Sequence, residues 1–226
     1  MNILFKLTTQ EGKTHNETQW GENVTHEATG DIKQGLCSDA WIHAYTHPLL
    51  AVLMNPVHAD IENPILWEGK GEGEAKFEPL KCGFRKFTTL KKIPLPEVTD
   101  VQKVAFGILC AKEVYKDSSW NQWADKWLSG EDRTKSSANA AADAAAYAAA
   151  AADVVAYYAA NAADAYAASD AASSAARAAA NAAYAAANAA DAYAASDAAS
   201  SAASKATGKE LDFVSIALKA KAVKEL

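Results

Sequence analysis

The 226-residue chain has few cysteines and no excess of positive charge. Its three cysteines, Cys37, Cys82 and Cys110, are odd in number and far apart, which is typical of reduced, mostly buried thiols and argues against a disulfide-stabilised fold. The 22 basic and 28 acidic side chains give a net charge of −6. This acidity argues against a general nucleic-acid binder and against a protein that binds anionic membranes.

Long hydrophobic runs are also missing. Residues 1–7 come nearest to a leader or a membrane segment, but they include Lys6 and are far too short to cross a bilayer. Half of the residues count as hydrophobic, yet nearly half of these are alanines, which bury little area each. We therefore expect no membrane association and a cytoplasmic location.

Proline and glycine are scarce in the second half of the chain, and this divides it into zones. All six prolines fall within residues 1–97, together with short β-branched and aromatic runs that predict a strand-rich head. Residues 98–137 predict a two-helix connector, residues 138–206 an alanine-rich helical segment, and residues 207–226 an amphipathic C-terminal helix with Leu218 on its apolar face. The predicted fold class is α+β: a small strand-rich head, then helices and a long alanine-rich stalk or bundle.

The connector carries helix start and stop signals. Thr99 and Gln102 have the spacing of a capping box, so the first helix is predicted to begin there. A second helix is predicted from Ser118 or Ser119 to Gly130. Three tryptophans recur at helical spacing in it: Trp120, Trp123 and Trp127. Such a stripe indicates packing rather than a ligand site.

The alanine-rich segment contains a duplication. Between 138 and 203 there are 41 alanines in 66 positions and no glycine or proline, which predicts helix. Residues 161–176 recur identically as 188–203, an offset of 27 residues. At about 100° per residue this offset is about seven and a half turns, so the two copies would face opposite sides of one straight helix.

Two arrangements of the segment are open: a continuous rod used on both faces, or a helix that breaks at the Ser-Asp pairs 169–170 and 196–197, whose side chains make good helix caps. A parallel two-helix dimer buries one continuous face of each helix, so one of the two duplicated copies would lie outside the interface. We therefore predict an oligomer or an intrachain bundle, which can bury both copies. The predicted interface residues recur at helical spacing: Tyr157, Asn161, Tyr166, Tyr184, Asn188 and Tyr193.

Two motifs suggest chemistry at first sight. His43 and His47 have the spacing of zinc ligands on a helix, but Pro48 pushes His47 out of the helical region, so structural histidines are predicted and no metal site. The glycine-rich run 69–73 suggests a phosphate loop, but no helix follows and its flanking glutamates would repel a phosphate, so an exposed strand is predicted. We therefore predict no catalytic residue and no cofactor, and favour a protein without enzymatic activity.

Three stretches of the head resemble a known family: residues 36–51, 66–74 and 87–96. The family is an uncharacterised domain common in phage and prophage proteins, often followed by a repetitive tail. Four residues match its motif: His43, Ala44, Pro48 and Leu49. Trp41-Ile42 stand in place of its Gly-Phe, and Tyr45 in place of its second Cys. The likeness covers residues 1–97.

Other segments carry separate resemblances. Residues 119–165 resemble the helical part of bacterial immunity proteins. Residues 40–54 resemble the strand, turn and short helix over the nicotinamide pocket of ADP-ribosyltransferases, where a His or Tyr contacts NAD, although the chain offers no convincing catalytic Glu. Alanine-rich helices are also similar to fish antifreeze helices, but those carry regularly spaced threonines and residues 135–206 contain none.

The leading functional expectation rests on these resemblances. It is a non-enzymatic phage or prophage interaction protein in the bacterial cytoplasm, which self-associates through the alanine-rich segment and binds or blocks a host factor such as a defence component. The alternative is a nucleotide-binding or ADP-ribosyltransferase-like enzyme with its pocket in the head, and ice binding is the least favoured. The expected ligand-binding residues in the head are Trp41, His43, Tyr45 and His47. The expected partners are a second copy of the chain and a host protein or small nucleotide.

Overall fold

In the computed structural model, which describes residues 3–158, 163–188, 191–205 and 211–225, the chain divides into two units. We call Met1–Glu97 the head and Val98–Leu226 the helical unit. The described residues form seven α-helices and one five-stranded antiparallel sheet, so the fold is mixed α and β. None of the described helices is long and apolar enough to cross a membrane.

The head contains the sheet, one α-helix and a short 3-10 helix. In chain order its elements are β1 (Leu4–Thr8), the 3-10 helix (His15–Glu17), β2 (Thr25–Glu27), β3 (Ile42–Ala44), α1 (Pro48–His58), β4 (Ile65–Phe77) and β5 (Cys82–Ile93). The hairpin of β4 and β5 is its centre. Strand β1 pairs with the free edge of β4, whereas β3 and β2 pair one after the other with the free edge of β5.

The glycine-rich run lies inside β4, as the sequence predicted. Phenylalanine rings of β5 lie over two of its glycines, with Phe87 over Gly69 and Phe84 over Gly71. A Cβ atom at these glycines would come within 2.5 Å of the Phe87 ring and 2.2 Å of the Phe84 ring. The glycines therefore make room for core aromatics from the neighbouring strand.

Helix α1 begins as its sequence predicts. His47 is extended, with φ −145° and ψ 141°, and its Nδ1 accepts a hydrogen bond from the Leu49 N–H at 3.2 Å. Pro48 is the first helical residue, where a missing N–H is harmless. His43 lies in β3, so the two histidines do not share a helix face.

The helical unit contains six helices: α2 (Asp100–Val114), α3 (Ser118–Ser129), α4 (Lys135–Tyr158), α5 (Ala163–Ala187), α6 (Ala192–Lys205) and α7 (Phe213–Lys221). The predicted capping box is present in α2, where Thr99 Oγ1 accepts from the Gln102 N–H at 3.3 Å and Gln102 Oε1 accepts from the Thr99 N–H at 3.1 Å. Helix α3 ends at Gly130, which is left-handed with φ 84°. The three tryptophans of α3 are buried.

The alanine-rich segment is three helices, so the continuous rod is wrong. Helix α4 packs along α5, and α5 packs along α6. Only four residues separate the helices of each pair, which requires the chain to reverse direction. The predicted break points are also wrong, because 169–170 lie within α5 and 196–197 within α6. The described helices end instead just before each duplicated copy, α4 at Tyr158 and α5 at Ala187.

Polar side chains set the register of the second reversal. Asn181 Nδ2 donates to Asp197 Oδ2 at 2.6 Å, and both residues are eight positions from Ala189, as antiparallel helices require. Asp191 Oδ1 accepts from the Ala194 N–H at 3.0 Å and caps α6. Burial raises the pKa of the Asp197 carboxyl group. The sparse Asn and Asp residues therefore fix the alignment of a surface that alanine methyl groups alone would leave undefined.

Helix α2 lies at the centre of this bundle, because α5, α6 and α7 all pack against it. Phe106 and Ile108 are completely buried although they are about 160° apart on a helical wheel at about 100° per residue, so more than one face is covered. The prediction of Leu218 on the apolar face of the C-terminal helix is wrong, since its side chain is 52% exposed. Helix α7 buries Phe213 and Ile216 instead.

Replacing Gly107 of α2 by alanine is expected to lower the free energy of unfolding of the helical unit by about 1–3 kcal/mol. The new methyl carbon would lie 2.9 Å from the Ala195 carbonyl oxygen and 3.1 Å from Ala195 Cα, which are backbone atoms of α6. Helix propensity alone favours alanine by about 1 kcal/mol, so packing and propensity predict opposite signs. Urea denaturation followed by circular dichroism measures the difference. Gly35→Ala is the control, because no atom lies within 4 Å of a Cβ there; unchanged or higher stability of Gly107→Ala would contradict the close contact.

Candidate functional site: a histidine-lined cavity in the head

A cavity of about 400 Å³ lies in the head. Four of the five histidines of the chain line it: His15, His26, His43 and His58. Three large aromatic side chains also line it: Trp20, Trp41 and Tyr45. These residues come from β2, β3, the end of α1 and the connecting segments, so the antiparallel pairing of the sheet assembles the cavity from distant parts of the sequence.

Lys6 of β1 also lines the cavity and is only 8% exposed. Because side chains alternate along a strand, Lys6 shares a face with Leu4, which belongs to the core cluster that contains Trp20 and Phe87. The Lys6 Nζ donates to the carbonyl oxygen of His43 at 3.0 Å and lies 4.7 Å from the centre of the Trp20 ring. Lysine thus occupies a core position of the strand, where apolar side chains are the rule.

No carboxylate compensates the Lys6 ammonium group within the described residues of the head, since no Asp or Glu there lies in ion-pair distance of Nζ. Glu27, which lines the same cavity, is paired with Lys86 at 3.1 Å. Burial lowers the pKa of Lys6 to about 8. At neutral pH the cavity therefore holds a largely protonated amine close to its own titration point.

His43 holds Lys6 through its backbone and is itself held by its ring. Its Nε2 hydrogen-bonds to the Leu36 carbonyl oxygen, which requires a proton on Nε2. Burial, together with the charges of Lys81 and Lys6, lowers the pKa of His43. The imidazole is therefore neutral at pH 7, and its role in the structure is to fix β3 against the 36–41 segment.

Tyr45 and His58 form a stacked pair in the cavity wall. Their ring centres are 6.0 Å apart with an angle of 18° between the planes, and Tyr45 Oη lies 3.4 Å from His58 Nδ1. The Tyr45 N–H donates a hydrogen bond to the Phe5 carbonyl oxygen of β1, and the Phe5 N–H donates one to the Tyr45 carbonyl oxygen. Burial raises the pKa of the Tyr45 hydroxyl group and lowers the pKa of His58 to about 4. Both groups are neutral at pH 7, one a proton donor and the other able to accept a proton.

The structure brings together three of the four ligand-binding residues predicted from sequence. Trp41, His43 and Tyr45 line the cavity, and the Trp41 indole N–H donates to the Gln34 carbonyl oxygen at 3.2 Å. His47 does not line it, because its ring caps helix α1. Sequence analysis missed Lys6, although an inward position in a strand with period two would have indicated it. It also missed His58, which the chain places beside Tyr45 through the length of α1.

The predicted self-association residues are placed differently. Tyr184 and Tyr193 are 53% and 60% exposed, and Asn188 is exposed with its side-chain N–H donating to the Tyr184 carbonyl oxygen. Tyr157, Asn161 and Tyr166 lie outside the residues whose side chains the structure describes. Self-association through this surface stays a prediction.

Comparisons of the chain with protein-family models, with curated proteins and with solved structures find no match. The resemblances to a phage domain, to immunity-protein helices and to ADP-ribosyltransferases stay predictions, as does the role against a host factor. Within the described residues, no three His, Cys, Asp or Glu side chains form a group that could hold a metal ion.

Proposed function

We propose that this protein is a binding protein whose head takes up a small anionic molecule that carries a planar ring, with nucleotides as the ligand class. The observation that carries this proposal is Lys6, a buried ammonium group that lines the cavity and has no Asp or Glu of the described residues within ion-pair distance.

The anionic part of the ligand follows from the cost of burying an unpaired charge. A buried ammonium group without a counter-ion destabilises the folded protein, and an incoming phosphate or carboxylate removes that penalty. The ammonium group has three N–H donors, of which the His43 carbonyl oxygen takes one. Lys81, which also lines the cavity, adds positive charge.

The planar ring of the ligand follows from the aromatic residues that line the cavity. Trp20, Trp41 and Tyr45 offer aromatic surface, and their polar edges are already engaged within the protein: Trp20 Nε1 donates to Thr14 Oγ1 at 3.0 Å. Aromatic walls favour stacking with a flat ring. A volume of about 400 Å³ is within the usual range for small-molecule pockets of about 300–1,000 Å³ and suits a mononucleotide.

Isothermal titration calorimetry with purine and pyrimidine mononucleotides tests the proposal. We expect binding by the wild-type protein and a loss of affinity of about 10- to 100-fold in Lys6→Met, the range that a hydrogen bond to a charged group contributes. Lys92→Met is the matched control, because it removes the same charge from an exposed position on β5 that lies outside the cavity. Equal affinity of Lys6→Met and wild type, or absence of binding by the wild type to every mononucleotide, would contradict the proposal.

A further inference from the structure

Lys6 differs from the other lysines of the sheet in ways that change its chemistry. Lys70, Lys86 and Lys91 are paired with glutamates at 2.9 to 3.2 Å and are more than a third exposed. The Glu27 carboxylate raises the pKa of Lys86, whereas burial lowers the pKa of Lys6. Near pH 7 the neutral amine is therefore far more populated in Lys6 than in Lys86.

The position of the amine is fixed as well as its protonation. Lys6 Nζ is held by the His43 carbonyl oxygen at 3.0 Å and by the faces of Trp20 and Phe87, whose ring centres lie 4.7 and 5.9 Å away. A desolvated amine in an apolar pocket is the arrangement that activates lysine as a nucleophile toward carbonyl groups. The cavity beside it has room for a ligand.

We propose that Lys6 Nζ is a nucleophile that forms a reversible imine with an aldehyde or ketone group of a ligand held in the cavity. This inference rests on the proposed function, because the cavity must admit a small anionic ring compound before the amine can react. It narrows the ligand class to such compounds that carry a carbonyl carbon.

The reaction needs no oxidant or reductant. The lone pair of the neutral amine forms a bond to the carbonyl carbon, the carbonyl oxygen gains a proton, and the nitrogen loses one, which gives a carbinolamine. Loss of this hydroxyl group together with the remaining N–H proton as water then forms the carbon–nitrogen double bond, and addition of water reverses both steps. Tyr45 and His58, a neutral proton donor and a neutral acceptor that line the same cavity, are the groups suited to move these protons.

Reductive trapping with pyridoxal 5′-phosphate tests the inference, because this probe combines a flat ring, a phosphate and an aldehyde. The protein is mixed with the probe at pH 7, reduced briefly with borohydride, digested and mapped by mass spectrometry. We expect Lys6 to be modified about a hundredfold faster than Lys86, because its neutral fraction at pH 7 is larger by at least that factor. In Lys6→Arg the adduct at position 6 disappears, since arginine keeps the charge but forms no stable imine, whereas Lys86→Arg leaves the Lys6 adduct unchanged.

The mass-spectrometric map of adducts on the wild-type protein tests the inference even if a Lys6 variant fails to fold. Modification of Lys86 and other exposed lysines at the same rate as Lys6, or faster, would overturn the inference. Mononucleotides, which have no free carbonyl able to form an imine, separate the two proposals. If they bind and compete with the probe while Lys6 gives no adduct, the imine is wrong and the proposed function stands. If neither mononucleotide binding nor a Lys6 adduct is found, both are wrong.

Discussion

Lys6→Met is expected to raise the free energy of unfolding of the head by up to about 3 kcal/mol at pH 7 while it weakens anion binding. Burial holds the pKa of Lys6 near 8, below the ordinary value of 10.5, and each pKa unit corresponds to about 1.4 kcal/mol against the charged form in the folded state. Methionine is similar in length, flexible and apolar, so it fills the same space without a charge. Replacing a buried charge by an apolar side chain of similar volume is often stabilising.

The pH dependence of this difference has a definite sign. Between about pH 8 and 10.5 the unfolded chain keeps the Lys6 proton whereas the folded head has lost it, so the unfolded state binds more protons and stability rises with pH. Below pH 8 Lys6 is charged in both the folded and the unfolded state, so the full free-energy cost of burying its charge is present. The advantage of Lys6→Met is therefore largest at and below pH 7 and shrinks as the pH rises above 8.

Urea denaturation of the wild type and of Lys6→Met at pH 7 and pH 9 measures this difference. Tyr45 and Cys82, whose pKa values are raised by burial, are present in both proteins, so their titration cancels in the comparison. Lys92→Met is again the control and should show no comparable difference between the two pH values. A variant less stable than the wild type at pH 7, or a gap that is the same at both pH values, would show that the ammonium group is not destabilised by burial.

Acid is expected to destabilise the head before its carboxylates titrate. Burial, with the charges of Lys81 and His43, lowers the pKa of His58 from 6.5 to about 4. Between these values the unfolded chain carries a proton on His58 that the folded head does not, so stability is lost as the pH falls from 6.5 toward 4. His43 and His47 are shifted in the same direction, each first by burial.

The His58 share of this loss is about 2 kcal/mol between pH 7 and 4.5. Urea denaturation of the wild type and of His58→Gln at these two pH values measures it, and the variant should lose less stability on acidification by about that amount. His15→Gln, a change at an exposed histidine of the same cavity, is the control and should follow the wild type. Equal pH dependence in wild type and His58→Gln would show that His58 titrates normally in the folded head.

These two expectations connect stability to function. The folded protein disfavours the charged form of both Lys6 and His58, and both residues line one cavity. Groups with such perturbed pKa values concentrate at functional sites, and the stability they cost is a common accompaniment of binding and catalysis. An apolar residue at position 6 would give a more stable head that binds an anion more weakly.

The sequence alone determined the features that depend on a few neighbouring residues. The Thr99 and Gln102 cap, the left-handed Gly130 and the extended His47 before Pro48 follow from local hydrogen bonds and steric limits, which are the same in any fold. Helix in the alanine-rich segment follows from intrinsic propensity. The strand over the glycine-rich run follows from the absence of a helix after it.

Tertiary structure decided where the alanine-rich helix reverses and which faces are buried. Alanine has nearly the same propensity everywhere along the segment, so the ends of α4 at Tyr158 and of α5 at Ala187 depend on tertiary packing. Helix α4 packs along α5, and α5 and α6 pack against α2, where Gly107 allows close approach to α6. The cavity has the same origin. Lys6, His43 and His58 are far apart in sequence. They meet because Phe5 of β1 and Tyr45, just after β3, hydrogen-bond to each other and α1 packs against β1, which is information that no single segment contains.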